Sequence, residues 1–480
     1  MTNITLSRTR FKRSTSFHPV IMVVAIGLAL TAGVLIGVFG YSAVLIIGGL
    51  AAVGGLSALV VLRTEMVLWL LLATTPLTMV AWDSGFQVFT LPELLLYFAA
   101  IGWLMKMVLI RRRIQFLNSP LNLPVAALIA VYGVSYLRAP DLVLTSYAFG
   151  ASKTLYGIVV AGLIYLLVAN NVKLKKVWRF SSCLLVAGVA ASLTGFYQYS
   201  KGQVIALPEV SRLTSTLGVG HGGFMVYVFV LGLGLIWGTR SNKGRVLLGI
   251  LMLLFLSQIF LTALRSAWIS LGIVSVAAWL LLEKNPGLTG ITLIVVVLAL
   301  LAFFLTSTMG FDYFENAYIH RFYSGLTLED RSTQSRLLDW KMALGLISKH
   351  PLLGMGLIRF REYYEREAMI PSGLRMGERG ISAHNMYLDT ALQVGVIGLG
   401  VLVWLLIAAL RQAYAVFRTA DSTAERGLAF GILLMILHII VWGIFDSPLP
   451  KMFANNFPFF AALGLLAAMK GAGHPGEKAE

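Results

Sequence analysis

Long apolar runs, one after another, constrain this chain more than any other feature. Stretches of membrane-spanning length fall roughly at 20–39, 41–62, 66–82, 92–110, 121–137, 154–169, 179–197, 221–238, 246–264, 267–282, 288–307, 386–410, 428–446 and 453–469. A helix crosses a bilayer with about 20 predominantly apolar residues, and about 17 is the lower limit. Backbone polar groups at that depth must pair within the segment, which leaves helices as the solution for runs of this length. The pattern predicts an all-α polytopic membrane protein of about 12–14 transmembrane helices. Composition agrees, with 58% hydrophobic and 12% charged residues in a chain of 480; soluble domains carry about 25% charged residues. The single cysteine, Cys183, lies in an apolar run and can form no internal disulfide.

The basic stretch "SRTRFKRSTSFHP" precedes the first apolar run, which begins at Val20. That run is too long for a signal-peptide core and continues almost directly into the next, so it reads as a membrane helix with its basic end inside. The net charge of +17 would suit nucleic acid if it were clustered on one soluble face. It is distributed otherwise. With the N-terminus inside, the inside connections hold twenty Lys or Arg, from Arg8 to Lys478, and the short outside connections hold six: Arg138, Lys153, Lys201, Arg212, Arg265 and Lys451. This is the positive-inside bias of a polytopic protein, with both termini cytoplasmic. The expected partners include membrane lipids and no nucleic acid.

Connections are short except one. Residues 308–385 form a long outside segment of mixed charge, with ten Lys or Arg and nine Asp or Glu. Within it, "STQSRLLDWKMALGLISKHPLLGMG" opens on the capping residues Ser332 and Thr333. Leu337, Leu338, Met342 and Leu346 recur at helical spacing, and Pro351 and Gly354 end the run. The chain therefore divides into a basic tail (1–19), N-terminal membrane helices (20–210), further membrane helices (211–307), the periplasmic loop domain (308–385), C-terminal membrane helices (386–469) and a cytoplasmic tail (470–480). A long, partly helical outside loop is where function concentrates.

Chemistry gathers beside that loop. Ser382 reads as an N-cap, which puts His384 in the first turn of the next helix. The positive helix end favours a neutral imidazole that can accept a proton. Asn385, Asp389 and Gln393 follow at i, i+4 and i+8, one polar face in an apolar run, and should look into the bundle. A capping histidine above packed polar residues is the plainer alternative. Arg265 in "LTALRSAWIS", Arg336 in the loop helix and Arg212 in "SRLTSTLG" all fall on the outer side. Guanidinium groups bind phosphate bidentately and keep their charge. Together with a base, they suit glycosyl transfer from a lipid diphosphate. Glu329-Asp330 lacks D-x-D spacing, His320 and His350 are far apart, His438 sits within an apolar run, and no phosphate-binding glycine loop occurs. Neither a metal site nor a cofactor is expected.

Three motifs in order, "LTALRSAWIS", "SRLLDWKMALGLISKHPLLGMGL" and "SAHNMYLDTALQVGVIGLG", resemble those of the O-antigen ligase and polymerase superfamily of bacterial envelope glycan assembly. The resemblance covers about residues 210–410. It implies an inverting, metal-independent glycosyltransferase of the inner membrane that takes a glycan from undecaprenyl diphosphate on the periplasmic side. Ligases of this kind pass the glycan to the lipid A core, polymerases to another lipid-linked repeat, and protein-directed relatives to Ser or Thr. Carried onto this sequence, Arg265 and Arg336 would hold the diphosphate and His384 would activate the acceptor hydroxyl. Arg212, Asn385 and Tyr387 would bind substrate. The chain departs from the family pattern at Leu264, where Ser is frequent, and at "GVGHGGF", where Asn is frequent and His221 stands instead. A lipid-linked glycan transporter is the rival class, but it would typically show repeats and charges near the membrane midplane.

Overall fold

The computed structural model describes residues 63–79, 90–112, 116–138, 148–172, 177–203, 205–206, 211–282, 331–366, 382–449 and 453–471. All of them fall in one unit, Arg63–Glu480. The expected spans 20–39, 41–62 and 288–307, with His320, Glu329 and Asp330, lie outside the described residues.

The regular structure of the described chain is helical, apart from one two-residue strand pair. In order come α1 (63–73), a 3-10 turn (Thr75–Met79), α2 (Leu91–Met105, continued as a π-turn to Arg111), α3 (Asn122–Leu137), α4 (Ala148–Asn171) and α5 (Val177–Ser200). There follow β1 (Ile205–Ala206) antiparallel to β2 (Ser211–Arg212), then α6 (His221–Gly238), α7 (Asn242–Leu261), α8 (Arg265–Leu281), α9 (Arg331–Lys349), α10 (Arg359–Arg366), α11 (Met386–Thr419), α12 (Thr423–Phe445) and α13 (Phe453–Gly471). Seven of these helices (α2, α4, α5, α6, α7, α11 and α12) are long and apolar enough to cross a membrane, and α3, α8 and α13 are shorter apolar helices. The protein is a multi-pass membrane protein.

Helix α6 is buried almost all round, as an evenly apolar helix must be to sit at the centre of a bundle. It meets α12 backbone to backbone. A Cβ on Gly234 would stand 2.6 Å from the Gly431 nitrogen, and one on Gly427 would stand 2.8 Å from the Gly238 Cα. Small residues at four-residue spacing allow this approach where no hydrophobic force draws helices together. Helix α7 turns Val246, Leu247, Ile250 and Leu253 outward. Buried polar groups pair across helices: His438 Nδ1 lies 2.8 Å from Ser270 Oγ, and Gln412 donates to the Leu466 carbonyl at 2.8 Å.

These contacts sort the bundle into two ends. At one, the end of α6 (Gly238) lies against the start of α12 (Thr423), which puts Arg240, Lys243, Arg245, Arg418 and Arg426 in one layer. At the other, α6 begins where α12 ends, because Gly223 abuts the Trp442 ring. There Gly222 lies against Leu264 and Thr262, and the Leu213 amide donates to the Leu261 carbonyl at 3.0 Å. Arg265, at the first turn of α8, and the backbone of Arg212 therefore share an end with the start of α11.

Candidate active site

The start of α11 differs from the sequence expectation. The N-cap is Asn385, not Ser382; its side-chain oxygen accepts from the Tyr387 and Leu388 amides, both at 3.0 Å. Ser382 Oγ instead accepts from the His384 amide at 3.0 Å. Either residue type can cap, but only Asn385 reaches two free amides of the first turn. His384 thus stands just outside the helix, in the left-handed region at φ 50°. A non-glycine residue there costs about 1–3 kcal/mol, and such strain clusters at functional sites.

Its imidazole is 36% exposed, and Nδ1 lies 3.8 Å from Asp446 Oδ1, whose side chain is 14% exposed. Asp446 directly follows α12. Burial pushes its carboxyl up, but the neighbouring His384 imidazole, the charge of Arg336 and the Ser447 amide outweigh that and hold it below the ordinary 3.8. Arg336, from α9, donates Nη1–H to the Phe445 carbonyl at 2.9 Å. His384, Asp446 and Arg336 thus converge, and sequence reasoning named only the first and last. The signal for Asp446 was an acid closing the apolar run 428–446, directly before "SPLP".

The polar stripe is buried, with Asn385, Asp389 and Gln393 at 8%, 2% and 6% exposure. Asn385 Nδ2 donates to the Ile444 carbonyl at 3.0 Å, and Tyr387 Oη to the Ile440 carbonyl at 2.8 Å. These two bonds join α11 to α12. Asp389 accepts from the Ala383 amide at 2.8 Å and from the Ser447 hydroxyl. Trp340 Nε1 donates to the Ala383 carbonyl at 2.9 Å and ties α9 to the same turn.

A second feature isolates the first turns of α11. Gly395 has φ 72° and ψ −174°, which breaks the helix. The loop after α9 enters the gap: Met355 N–H donates to the Leu392 carbonyl at 2.8 Å, and Val396 N–H to the Pro351 carbonyl at 2.8 Å. Arg138 and Ser135 at the end of α3 brace it, bonding the Leu353 carbonyl at 3.0 Å and the Gln393 carbonyl at 2.6 Å. His384 therefore rides on a half-helix, Met386–Val394, interlocked with residues 351–355.

Arg265 and Arg212 are at this end of the bundle, reached through the packing of Leu264 on Gly222 and the Leu213–Leu261 bond. Arg212 is placed by its backbone in β2, opposite Ile205. His221, at the start of α6, is buried between Ser215 Oγ (2.8 Å) and Gln258 Oε1 (3.1 Å) and joins the loop after β2 to α7. His438 is buried, with Tyr227 edge-on and Trp442 stacked, each at 5.3 Å. His350 follows the last residue of α9. Among the described residues, no three His, Cys, Asp or Glu side chains converge as metal ligands.

Residues 250–403 match the family model described as O-antigen ligase. A search of curated proteins gave no match. The matched segment runs from α7 into α11, past the break at Gly395, and carries Arg265, Arg336 and His384; Arg212 and Asp446 lie outside it. Through this segment, about a third of the chain, the protein is similar to the O-antigen ligase family.

Proposed function

We propose that the protein is a glycan ligase. It transfers a glycan from undecaprenyl diphosphate to an acceptor hydroxyl of the lipid A core, at the periplasmic face of the bacterial inner membrane. The observation that carries this reading is the convergence of His384, Asp446 and Arg336 at the bundle end where Arg265 emerges. That end lies opposite the layer of Arg240, Lys243, Arg245, Arg418 and Arg426, which the positive-inside rule assigns to the cytoplasm. On this reading residues 308–385 are periplasmic.

In the proposed step the acceptor O–H gives its proton to His384 Nε2, while Nδ1 faces Asp446. The freed oxygen bonds to the anomeric carbon from the side opposite the diphosphate, and the bond from that carbon to the diphosphate oxygen breaks with inversion. The bonding pair leaves on undecaprenyl diphosphate, its charge countered by Arg265 and Arg336. The imidazolium rests beside the Asp446 carboxylate until it returns its proton to water. Apo hydrogen bonds of catalytic groups are often long, so the 3.8 Å separation is compatible with a base–carboxylate pair that closes on substrate. Arg212 adds charge for the diphosphate, and Asn385 and Tyr387 serve by fixing the half-helix. The residues supply base and counter-charge themselves, so the step needs neither metal nor cofactor.

The test is lipopolysaccharide from a deletion strain, resolved on a gel. Long chains left on the lipid carrier support the ligase. Cores capped with a single repeat would reassign the protein to the polymerases of the superfamily, and an unaltered profile would remove both assignments.

A further inference from the structure

We propose that Asp389 is a positioning residue, a clamp that joins the turn before His384 to the turn after Asp446 and so sets how the two face each other. This rests on the reading of His384 as the base. One carboxylate oxygen accepts a hydrogen bond from the amide of Ala383, the residue before His384, and the other accepts one from the hydroxyl of Ser447, the residue after Asp446. A third bond lies beside these two, from the Met386 amide to the Asp446 carbonyl at 3.0 Å. The two turns come from positions more than sixty residues apart.

Three physical points favour this role. A carboxylate 2% exposed in an apolar helix is kept only where it is hydrogen-bonded, and both oxygens of Asp389 are. The Ala383 amide and the Ser447 hydroxyl are chain neighbours of the His384–Asp446 pair, so these two bonds bear on those residues. His384 also holds a left-handed backbone, which persists only where surrounding bonds over-determine it. The Ala383–Asp389 bond, the Ser382–His384 bond and the Trp340–Ala383 bond supply that constraint.

The test is steady-state transfer by the purified full-length protein with a lipid-diphosphate-linked glycan and acceptor. Ser447→Ala removes one arm of the clamp and keeps the carboxylate. We expect kcat to fall about 10- to 100-fold, as for small misplacements of a reacting group, with donor KM unchanged and the melting midpoint lowered by only a few degrees. Asp389→Asn can still bond to both turns and should retain more activity than Asp389→Ala. Because the clamp acts through Asp446, Ser447→Ala should add nothing to the loss from Asp446→Asn. An active wild type with an equally active Ser447→Ala overturns the clamp alone. So does a double variant whose losses multiply, or a Ser447→Ala that loses rate only in step with its melting midpoint. A wild type that forms no glycosidic bond overturns the transferase reading, and the clamp with it.

Discussion

Replacing Gly395 by Ala should damage this protein far more than the same change five residues on. Gly395 sits at φ 72° and ψ −174°, a region nearly confined to glycine, and forcing another residue there costs about 1–3 kcal/mol. A Cβ would also collide with the Leu352 carbonyl, within the loop that fills the helix break. Relieving that collision displaces the loop and weakens the Met355–Leu392 and Val396–Pro351 bonds, at about 0.5–1.5 kcal/mol each. The sum is about 2–6 kcal/mol. Gly400, in the same helix, has open space at its Cβ, and Ala there should be neutral or stabilising by about 0.5–1 kcal/mol. Thermal unfolding of the two purified variants in detergent, followed by size-exclusion, measures the difference. Gly395→Ala should melt several degrees lower and transfer glycan more slowly, because the displaced half-helix carries His384. Equal melting midpoints would refute the interlock as a structural element.

Arg336→Lys keeps a charge but loses the planar fork, so it should lower transfer by about 100-fold or more while the protein still accumulates in the membrane; quantitative transfer against immunoblot checks this. Asp446 is held below the ordinary carboxylate value, so its contribution to stability is full above pH 3.8 and fades as pH falls through the lower folded value. The gap in melting midpoint between wild type and Asp446→Asn should close as pH falls below about 4. His438→Leu breaks the bond to Ser270 and the stack on Trp442, about two helical turns before Asp446 and without contact to His384 or Arg336 in the bonds described. It should lower the melting midpoint and leave kcat per folded molecule unchanged.

Much of this architecture was legible because membrane spans are written locally. The run 221–238 coincides with α6 to the residue, and 267–282 with α8 to within two. The polar face of Asn385, Asp389 and Gln393 was legible for the same reason, since helical period alone puts them together. Helix α9 was legible as a helix but not in its orientation. Leu337 and Leu338 were expected at its apolar positions, yet Leu337 is 45% exposed and the buried stripe is Ser335, Asp339, Ala343 and Leu346. Its inner face combines the buried polar Ser335 and Asp339 with an apolar cluster, Ala343 and Leu346 against Phe360, Ala383 and Leu392, so hydrophobicity named Met342 and Leu346 correctly and missed the polar half of the face. Three features were not legible. Asn385 outcompetes Ser382 as the cap through geometry that both sequences of bonds permit. The break at Gly395 depends on a loop forty residues upstream, and a lone glycine in an apolar run reads as helix. Asp446 meets His384 across a full turn of the chain through α11 and α12, and no local spacing encodes that meeting.

The central claim is that His384 and Arg336 form new glycosidic bonds at one end of the bundle. Its most direct test is transfer by wild type, His384→Ala and Arg336→Ala, each purified in detergent and supplied with undecaprenyl-diphosphate-linked glycan and lipid A core. The account predicts joined product from wild type and none above background from either variant, with all three folded alike by size-exclusion. Product from His384→Ala at the wild-type rate would contradict it.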